Sequence, residues 1–195
     1  MATVPTFVFV RHGQTDWNVE GRLQGQRDVP LNDIGRAQAH RNGEVIRDRI
    51  PEAAGFHFVA SPLSRARETM EIVRAVMQLD PKAYDVDSRL LEITFGELEG
   101  LTYKDMESLE PGWSSMRHAN KWDYLPPGGE SYHMLSDRVV AWLATLQRPS
   151  VIVAHGGVGR VLRAHLLGLD KEESVSADFP QDRVFMWQDG KGEWV

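Results

Sequence analysis

The sequence predicts an α/β fold, because strand-like and helix-like segments alternate along its 195 residues. Short apolar runs at 6–10, 56–60 and 151–154 are rich in β-branched and aromatic residues and are too short for ordinary helices. Segments between and after them place apolar residues at three- and four-residue spacing, which is typical of amphipathic helices. This alternation is typical of helices packed on a sheet. The length suits one domain with a substantial core, so we expect residues 1–195 to form a single domain.

Most of the predicted helices begin or end at an Asn or Asp cap, a proline or a glycine. They run from Asn32 or Asp33 to Arg49, from Pro62 to Pro81, between Ser131 and Gln147, and over Val158–Leu166 with Gly168 as C-cap. Near the end of the chain, residues 184–187 predict a late strand. The turn at 189–192 then allows a final hairpin arm.

Residues 111–129 mix proline, glycine, tryptophan and charged residues without a clear period. We expect this segment to be an irregular, lid-like insertion in the domain. Four of its side chains could line a substrate pocket or pack the segment onto the body of the domain, and packing is favoured. These side chains are Trp113, Arg117, Trp122 and Tyr124.

The composition excludes several classes of function. A net charge of −6 argues against nonspecific nucleic-acid binding and against a basic membrane-binding surface. The chain has no cysteine, so disulfides, thiolate catalysis and cysteine-ligated zinc are excluded. No segment resembles a signal peptide or could span a bilayer. We therefore expect a cytoplasmic enzyme without a nucleic-acid or membrane partner.

Cationic and imidazole side chains follow three of the predicted strands. Arg11 and His12 follow the first strand, Arg65 lies shortly after the second, and His155 follows the third. In open α/β sheets, ligands bind at the carboxyl ends of strands. If the three strands are parallel neighbours, these four side chains meet at one edge and repel one another unless an anion lies between them. Arginine favours multidentate binding of phosphate or carboxylate, so the implied ligand is a phosphoryl group.

Six motifs in this order resemble the histidine phosphatase superfamily, which includes the cofactor-dependent phosphoglycerate mutases. They are RHGQTDWN (11–18), LQGQRDVPLNDIGRAQA (23–39), SPLSRARET (61–69), LLEITFGELEG (90–100), PGGES (127–131) and VAHGGVGRVL (153–162). The resemblance implies a three-layer α/β/α sandwich with a mostly parallel central sheet, as in phosphoglycerate mutases. It also implies a phosphohistidine mechanism in which the transferred phosphoryl group is carried by His12.

The residue types agree with this chemistry. An imidazole with a pKa of about 6.5 is largely neutral at physiological pH and can attack phosphorus without a separate strong base. Phosphoryl transfer depends mainly on positioning and on stabilising charge on the equatorial oxygens. Arg11, Arg65 and His155 can supply that charge, so we expect neither a metal nor a cofactor.

Further phosphate-binding groups are expected around this cluster. The resemblance implies that Asn18 and the turn at Gln24 and Gly25 add hydrogen bonds to the phosphate. Gly156, which directly follows His155, permits close approach of the backbone to an anion.

A leaving alkoxide needs a proton donor, and the resemblance assigns that role to Glu92. The same carboxylate could then activate water. Glu97 and Glu99 are rival carboxylates in the same motif.

The leading function is a metal-independent phosphomonoesterase that acts on a small organic phosphate. A phosphoglycerate mutase-type phosphotransferase is the alternative. Against it, the apolar stretch 93–96 replaces the arginine-and-tyrosine stretch of the mutases, and 111–129 lacks an obvious arginine pair. Leu98 stands where many phosphatases of the family carry tryptophan. A non-catalytic phospholigand-binding domain is a third hypothesis.

Exposed edge strands could pair two copies into a homodimer, although nothing in the sequence requires it.

Overall fold

A six-stranded sheet forms the centre of the computed structural model, which describes residues 4–195. The strands are β1 (Phe7–Arg11), β2 (His57–Ala60), β3 (Asp85–Val86), β4 (Ser150–Ala154), β5 (Val184–Gln188) and β6 (Lys191–Trp194). Their order is β3-β2-β4-β1-β5-β6. The first four strands in that order are parallel, whereas β5 and β6 are antiparallel additions at one edge. The expected mostly parallel sheet is confirmed, with β1, β4 and β2 as neighbours.

Helices cover both faces of the sheet. They are α1 (Asp16–Val19), α2 (Asp33–Arg49), α3 (Ser64–Val76), α4 (Tyr103–Leu109), α5 (Trp113–Ala119), α6 (Tyr132–Leu143), α7 (Gly156–Leu167) and α8 (Lys171–Ser176). One core cluster joins α2 and α3 to one face of the sheet through residues such as Val8, Ile46 and Met70. A second cluster joins α6 and α7 to the other face through Phe9, Leu135 and others. This arrangement is a three-layer α/β/α sandwich, as expected.

Local signals fix the ends of the long helices where the sequence predicted them. The side chain of Asn32 accepts a hydrogen bond from the backbone N–H of Gly35 and so caps α2. Gly168 ends α7 in the left-handed conformation, with a φ of 66°. The second predicted helix ends earlier than expected, at Val76 rather than beside Pro81. Gln78 has a φ of 59°, which turns the chain out of the helix before the proline is reached.

The expectation of an irregular segment at 111–129 is wrong for residues 113–119, which form α5. This helix is only seven residues long and therefore shows no apolar period in the sequence. Trp113 anchors it in a small core with Leu23, Leu98 and Met106, and its indole N–H donates to the Tyr124 hydroxyl at 2.9 Å. Trp113 and Tyr124 thus pack the segment onto the body of the domain.

Four other short elements also lack a signal in the sequence: β3, α1, α4 and α8. None exceeds seven residues, too few for a period to stand out. Within residues 4–195, no helix combines the length and apolar character needed to cross a membrane.

Candidate active site

The sheet order brings the predicted basic side chains together at the carboxyl edge. Arg11 pairs with Ala154 in register, so His12 and His155 leave neighbouring strands at the same level. Their ring centroids are 5.1 Å apart. Arg65, at the start of α3, donates from Nε to His12 Nε2 at 3.3 Å. The four residues expected to converge therefore form one cluster.

Two hydrogen bonds fix the orientation and tautomer of His12. Nε2 accepts from Arg65, so Nδ1 carries the proton and donates to the carbonyl oxygen of Gly13 at 2.7 Å. The residue is only 3% exposed. Burial, followed by the charges of Arg65 and Arg11, holds the pKa of His12 well below its ordinary value. His12 is therefore neutral at physiological pH, with the Nε2 lone pair directed towards the cationic groups.

A tight contact between backbones supports this orientation. A Cβ atom added at Gly13 would lie 2.1 Å from the carbonyl oxygen of Gly35, in the first turn of α2. A side chain at Gly13 would push the loop away from α2 and shift the carbonyl that holds His12.

Arg65 is fully buried and is held by the loop at residues 24–27. Its guanidinium donates to the carbonyl oxygens of Gly25 at 2.8 Å and Arg27 at 2.7 Å. Burial lowers its pKa to about 10, so Arg65 stays cationic at neutral pH. The carbonyl oxygen of Gly25 thus helps to hold Arg65 in the cluster. The nearby Gln24 side chain is also buried, and its Oε1 has no hydrogen-bond partner in the described chain.

The guanidinium group of Arg11 has a hydrogen-bond partner at one nitrogen but none at another. Nη1 donates to the carbonyl oxygen of Phe179 at 2.6 Å, whereas Nε is buried without a partner among residues 4–195. Burial, and then the charge of Arg160, lower the pKa of Arg11. A buried guanidinium N–H without a partner is costly, and a bound phosphoryl oxygen would satisfy it.

His155 is fully buried at the N-terminus of α7 and contacts Ser61. Its Nε2 lies 2.7 Å from Ser61 Oγ, and its Nδ1 has no partner in the described structure. Burial and the charge of Arg65 are the main causes that hold its pKa well below the ordinary value. The sequence alone gives Ser61 no role. The one available signal is that it directly follows β2, as His12 directly follows β1.

Asn18 is oriented by Gln181, which belongs to no motif in the sequence. Gln181 Nε2 donates to Asn18 Oδ1 and to the His12 carbonyl oxygen, both at 3.1 Å. Asn18 Oδ1 also accepts from the backbone N–H of Thr15 at 3.1 Å. With Oδ1 engaged, the amide group at Nδ2 remains as the donor that Asn18 can offer to a phosphate.

Glu92 is the best placed of the three candidate carboxylates. Its Oε1 accepts from the N–H of Ile93 at 2.9 Å, and its Oε2 accepts from the N–H of Gly157 at 3.1 Å. Its charge opposes the burial that lowers the pKa of Arg11 and Arg65, so it lies within electrostatic range of the cluster. Glu97 is exposed. Glu99 instead braces the loop at residues 24–27, because its Oε1 accepts from the N–H of Gln26 at 2.9 Å.

The two glycines after His155 leave little space for a side chain. A Cβ at Gly157 would lie 2.3 Å from Glu92 Oε1, and one at Gly156 would lie 3.3 Å from Arg11 Nε. Gly157 therefore has a definite role, which is to let the carboxylate reach the backbone of α7. The edge of the sheet as a whole presents two imidazoles, two arginines and a carboxylate.

The chain is similar to known proteins in sequence and in fold. A family model described as the histidine phosphatase superfamily (branch 1) matches residues 7–186. The chain is 37% identical to a glucosyl-3-phosphoglycerate phosphatase of Mycolicibacterium vanbaalenii, over 85% of this chain and 76% of the relative. It is 38% identical to a Salmonella paratyphi C protein named "Probable phosphoglycerate mutase GpmB", over 82% of this chain and 74% of that one.

A solved structure of mycobacterial glucosyl-3-phosphoglycerate phosphatase in complex with VO3 superposes with a TM-score of 0.80. It is 32% identical and the match covers 98% of this chain and 96% of that one. A putative α-ribazole-5′-P phosphatase from Escherichia coli, at 22% identity and a TM-score of 0.82, shares the fold; its match covers 99% of this chain and 95% of that one.

Proposed function

The chain belongs to the histidine phosphatase superfamily, and on that premise we propose that it hydrolyses small organic phosphate monoesters through a phosphohistidine at His12. The observation that carries the proposal is the state of His12. Its imidazole is neutral, its Nδ1 proton is bound to the Gly13 carbonyl, and its Nε2 lone pair lies among cationic groups. An imidazole in this state can attack phosphorus without a separate base.

In the first step, His12 Nε2 attacks the phosphorus atom of the substrate. The Nε2–P bond forms while the bond from phosphorus to the ester oxygen breaks in line. Glu92 gives a proton to the leaving oxygen, so an alcohol departs. The positive charge that develops on the ring is stabilised by the hydrogen bond from Nδ1 to Gly13.

In the second step, water attacks the phosphorus atom from the side that the alcohol left. The Glu92 carboxylate takes a proton from this water, the P–Nε2 bond breaks, and inorganic phosphate and neutral His12 are released. Glu92 is protonated again and ready for the next substrate. One carboxyl group thus serves as acid and then as base.

Protein groups stabilise the equatorial oxygens in both steps. Arg11 offers its unsatisfied Nε, Asn18 its Nδ2 amide group, and His155 its unpartnered Nδ1. Gly156 starts α7, whose N-terminal dipole also favours an anion. Because cationic and hydrogen-bonding groups already provide the charge stabilisation, the proposed mechanism requires no metal.

A phosphoglycerate mutase-type phosphotransferase is the second candidate, and the Salmonella relatives named as probable mutases favour it. In that case a sugar acid, rather than water, would accept the phosphoryl group from His12. The stretch after Glu92 argues for water, because Ile93 is buried in the core and offers no group to a carboxylated acceptor. The catalytic groups also argue against a domain that only binds phospholigands.

The decisive experiment is hydrolysis of p-nitrophenyl phosphate and of a panel of metabolite phosphates in the presence of EDTA. We expect turnover by the wild type, no effect of EDTA, and loss of activity in His12→Ala. No turnover of any ester would refute the phosphatase proposal, and a requirement for metal would contradict the mechanism. Conversion of 3-phosphoglycerate to 2-phosphoglycerate that depends on bisphosphoglycerate would favour the mutase instead.

The remaining expectations stay predictions. They are a single-domain architecture, a lid role for 111–129, a cytoplasmic location, and action without nucleic-acid or membrane partners. Pairing of two copies through exposed edge strands stays open, since nothing in the sequence requires it.

A further inference from the structure

His155 stands between residues that follow two neighbouring strands. It follows β4, which pairs with β1 on one side and with β2 on the other. His12 follows β1, and its ring centroid lies 5.1 Å from that of His155. Ser61 directly follows β2, and its Oγ lies 2.7 Å from His155 Nε2. The imidazole of His155 therefore contacts Ser61 at one nitrogen, whereas the other, Nδ1, has no partner in the described structure.

The ring of His155 carries a single proton on its nitrogens. His155 is fully buried, and burial, followed by the charge of Arg65, holds its pKa well below the ordinary value. A neutral imidazole has one donor nitrogen and one acceptor nitrogen. With the proton on Nδ1, the free side of the ring donates to an anion, whereas with the proton on Nε2 it presents a lone pair. The tautomer of His155 thus decides whether the ring attracts or repels a phosphoryl oxygen.

The hydroxyl group of Ser61 determines which tautomer is present. Ser61 is fully buried, so its hydroxyl is shielded from solvent. The backbone N–H of Leu63 lies 3.5 Å from Oγ, a long contact in which Oγ is the acceptor. Among residues 4–195, His155 Nε2 is the only group that can accept the Ser61 proton.

The alternative tautomer would leave a buried donor unsatisfied. If Nε2 carried the ring proton, it would donate to Ser61 Oγ, and the Ser61 O–H would have no acceptor, which costs free energy. With Ser61 donating to Nε2, both contacts of the hydroxyl are satisfied. The ring proton of His155 is then on Nδ1.

The neighbouring cations do not compete for Nδ1. The N–H groups of Arg65 donate to His12 and to carbonyl oxygens of the loop at residues 24–27. Arg11 Nη1 donates to a backbone carbonyl oxygen. No described residue donates to Nδ1 of His155, so no contact favours a lone pair there. The Nδ1–H group is a buried donor without an acceptor, and a phosphoryl oxygen would satisfy it.

We propose that Ser61 is a positioning residue that fixes the Nδ1–H tautomer of His155, so that this N–H donates to an equatorial oxygen of the phosphoryl group. The inference rests on the proposed function, because the phosphoryl group is taken to lie at His12. Ser61 touches neither the substrate nor the reacting atoms and acts through the imidazole of His155. Because the contact is to the transferred group, it is made with every ester and in both steps.

The tautomer can be measured directly in the free enzyme. Long-range proton–nitrogen NMR of protein labelled with nitrogen-15 histidine distinguishes a protonated ring nitrogen from an unprotonated one. The signals that are lost in His155→Asn identify this ring among the seven histidines. We expect the wild type to carry the proton on Nδ1, and Ser61→Ala, which has no donor to Nε2, to carry it at least partly on Nε2. A wild-type ring protonated at Nε2, or an Nδ1–H ring that stays unchanged in Ser61→Ala, would overturn the proposal.

The kinetic effect should not depend on the leaving group. Ser61→Ala is expected to lower kcat/KM about tenfold or more, as for the loss of a hydrogen bond to a charged group. The loss should be equal for p-nitrophenyl phosphate and glycerol 3-phosphate, since both transfer the same phosphoryl group. Ser61→Thr keeps the hydroxyl and is expected to retain the Nδ1–H tautomer. An unchanged kcat/KM in Ser61→Ala, or a loss confined to one ester, would contradict the role of Ser61.

The matched control is Ser150→Ala. Ser150 is also fully buried but begins β4 at the opposite end of the strand from His155, and its hydroxyl donates to the carbonyl oxygen of Arg148 at 2.9 Å. The variant therefore removes the same group from the same strand without touching the imidazole. It should keep the wild-type tautomer and kcat/KM. Equal effects of Ser150→Ala and Ser61→Ala would show a general consequence of losing a buried hydroxyl and would refute the proposal.

Binding of inorganic phosphate separates this proposal from the proposed function. Isothermal titration with inorganic phosphate requires no turnover, and Ser61→Ala is expected to raise the dissociation constant about tenfold. That result, together with the Nδ1–H tautomer but without hydrolysis of any ester, would support the role of Ser61 and refute the phosphatase. Hydrolysis by a wild type whose His155 is protonated at Nε2 would support the phosphatase and refute the role of Ser61.

Discussion

Replacing Glu92 by glutamine is expected to slow the hydrolysis of alkyl phosphates far more than that of p-nitrophenyl phosphate. The carboxyl group gives a proton to the leaving oxygen, and an alkoxide needs that proton because it is strongly basic. The p-nitrophenolate ion is a weak base and can leave without it. The difference between the two esters therefore reports the acid role, separately from any effect on binding.

The magnitude follows from the two contacts of the side chain. Loss of a general acid costs about 10²–10⁴ in rate, or about 3–5 kcal/mol, for an alkyl ester such as glycerol 3-phosphate. Glutamine has one acceptor oxygen, so it can accept from the N–H of Ile93 or of Gly157, but not from both. The backbone N–H that loses its partner should lower the free energy of unfolding by about 1–3 kcal/mol.

The assay is kcat for glycerol 3-phosphate and p-nitrophenyl phosphate in wild type and Glu92→Gln, with urea unfolding of both proteins. Glu97→Gln is the matched control, because it makes the same change on an exposed carboxylate in the same motif. It should retain wild-type rates on both esters. Equal losses on the two esters in Glu92→Gln, or no loss on either, would refute the acid role.

Three further predictions concern the groups around this carboxylate. Because the pKa of His12 is lowered in the folded state, the unfolded chain binds an extra proton as the pH falls below about 6.5. The free energy of unfolding should therefore decrease over that range, and it should decrease less in His12→Gln. Equal pH dependence of the two proteins in urea unfolding would contradict this. Gln181→Ala should let the Asn18 amide rotate and should lower kcat about tenfold, as expected for loss of an orienting hydrogen bond. An unchanged kcat would argue against an orienting role for Gln181. Gly157→Ala places a Cβ 2.3 Å from the Glu92 carboxylate and should lower kcat for alkyl esters by at least about tenfold. The control is Gly55→Ala, whose Cβ meets no atom within 4 Å and which should keep the wild-type kcat. Similar rates in the two variants would contradict the crowding of Glu92.

The fold and the central cluster could be predicted because their signals are local. The short apolar run before Arg11 and His12 predicts the strand, and these two residues indicate where the strand ends. Parallel neighbours then bring such ends together without further information. His155, directly after β4, could be found in the same way.

Other parts of the site depend on contacts between distant residues. Gln181 reaches Asn18 across 163 positions of sequence, and Ser61 reaches His155 across 94. Neither residue type is unusual where it stands, and no period or spacing marks it. Arg160 looks like an ordinary helix charge until the structure places it beside Arg11. The short helix α5 could not be predicted in this way, because its stability comes from burying Trp113 rather than from a repeating pattern.

The proposed mechanism depends most directly on a covalent phosphoryl group at His12. Rapid mixing of the wild type with excess p-nitrophenyl phosphate, followed by an alkaline denaturing quench, should trap a phosphoenzyme that intact mass spectrometry detects. We predict one added phosphoryl group that is stable to base and labile to acid, that fragmentation places on His12, and that is absent in His12→Ala. Steady turnover by the wild type without any phosphoenzyme at early times, or phosphate on another residue, would contradict the account.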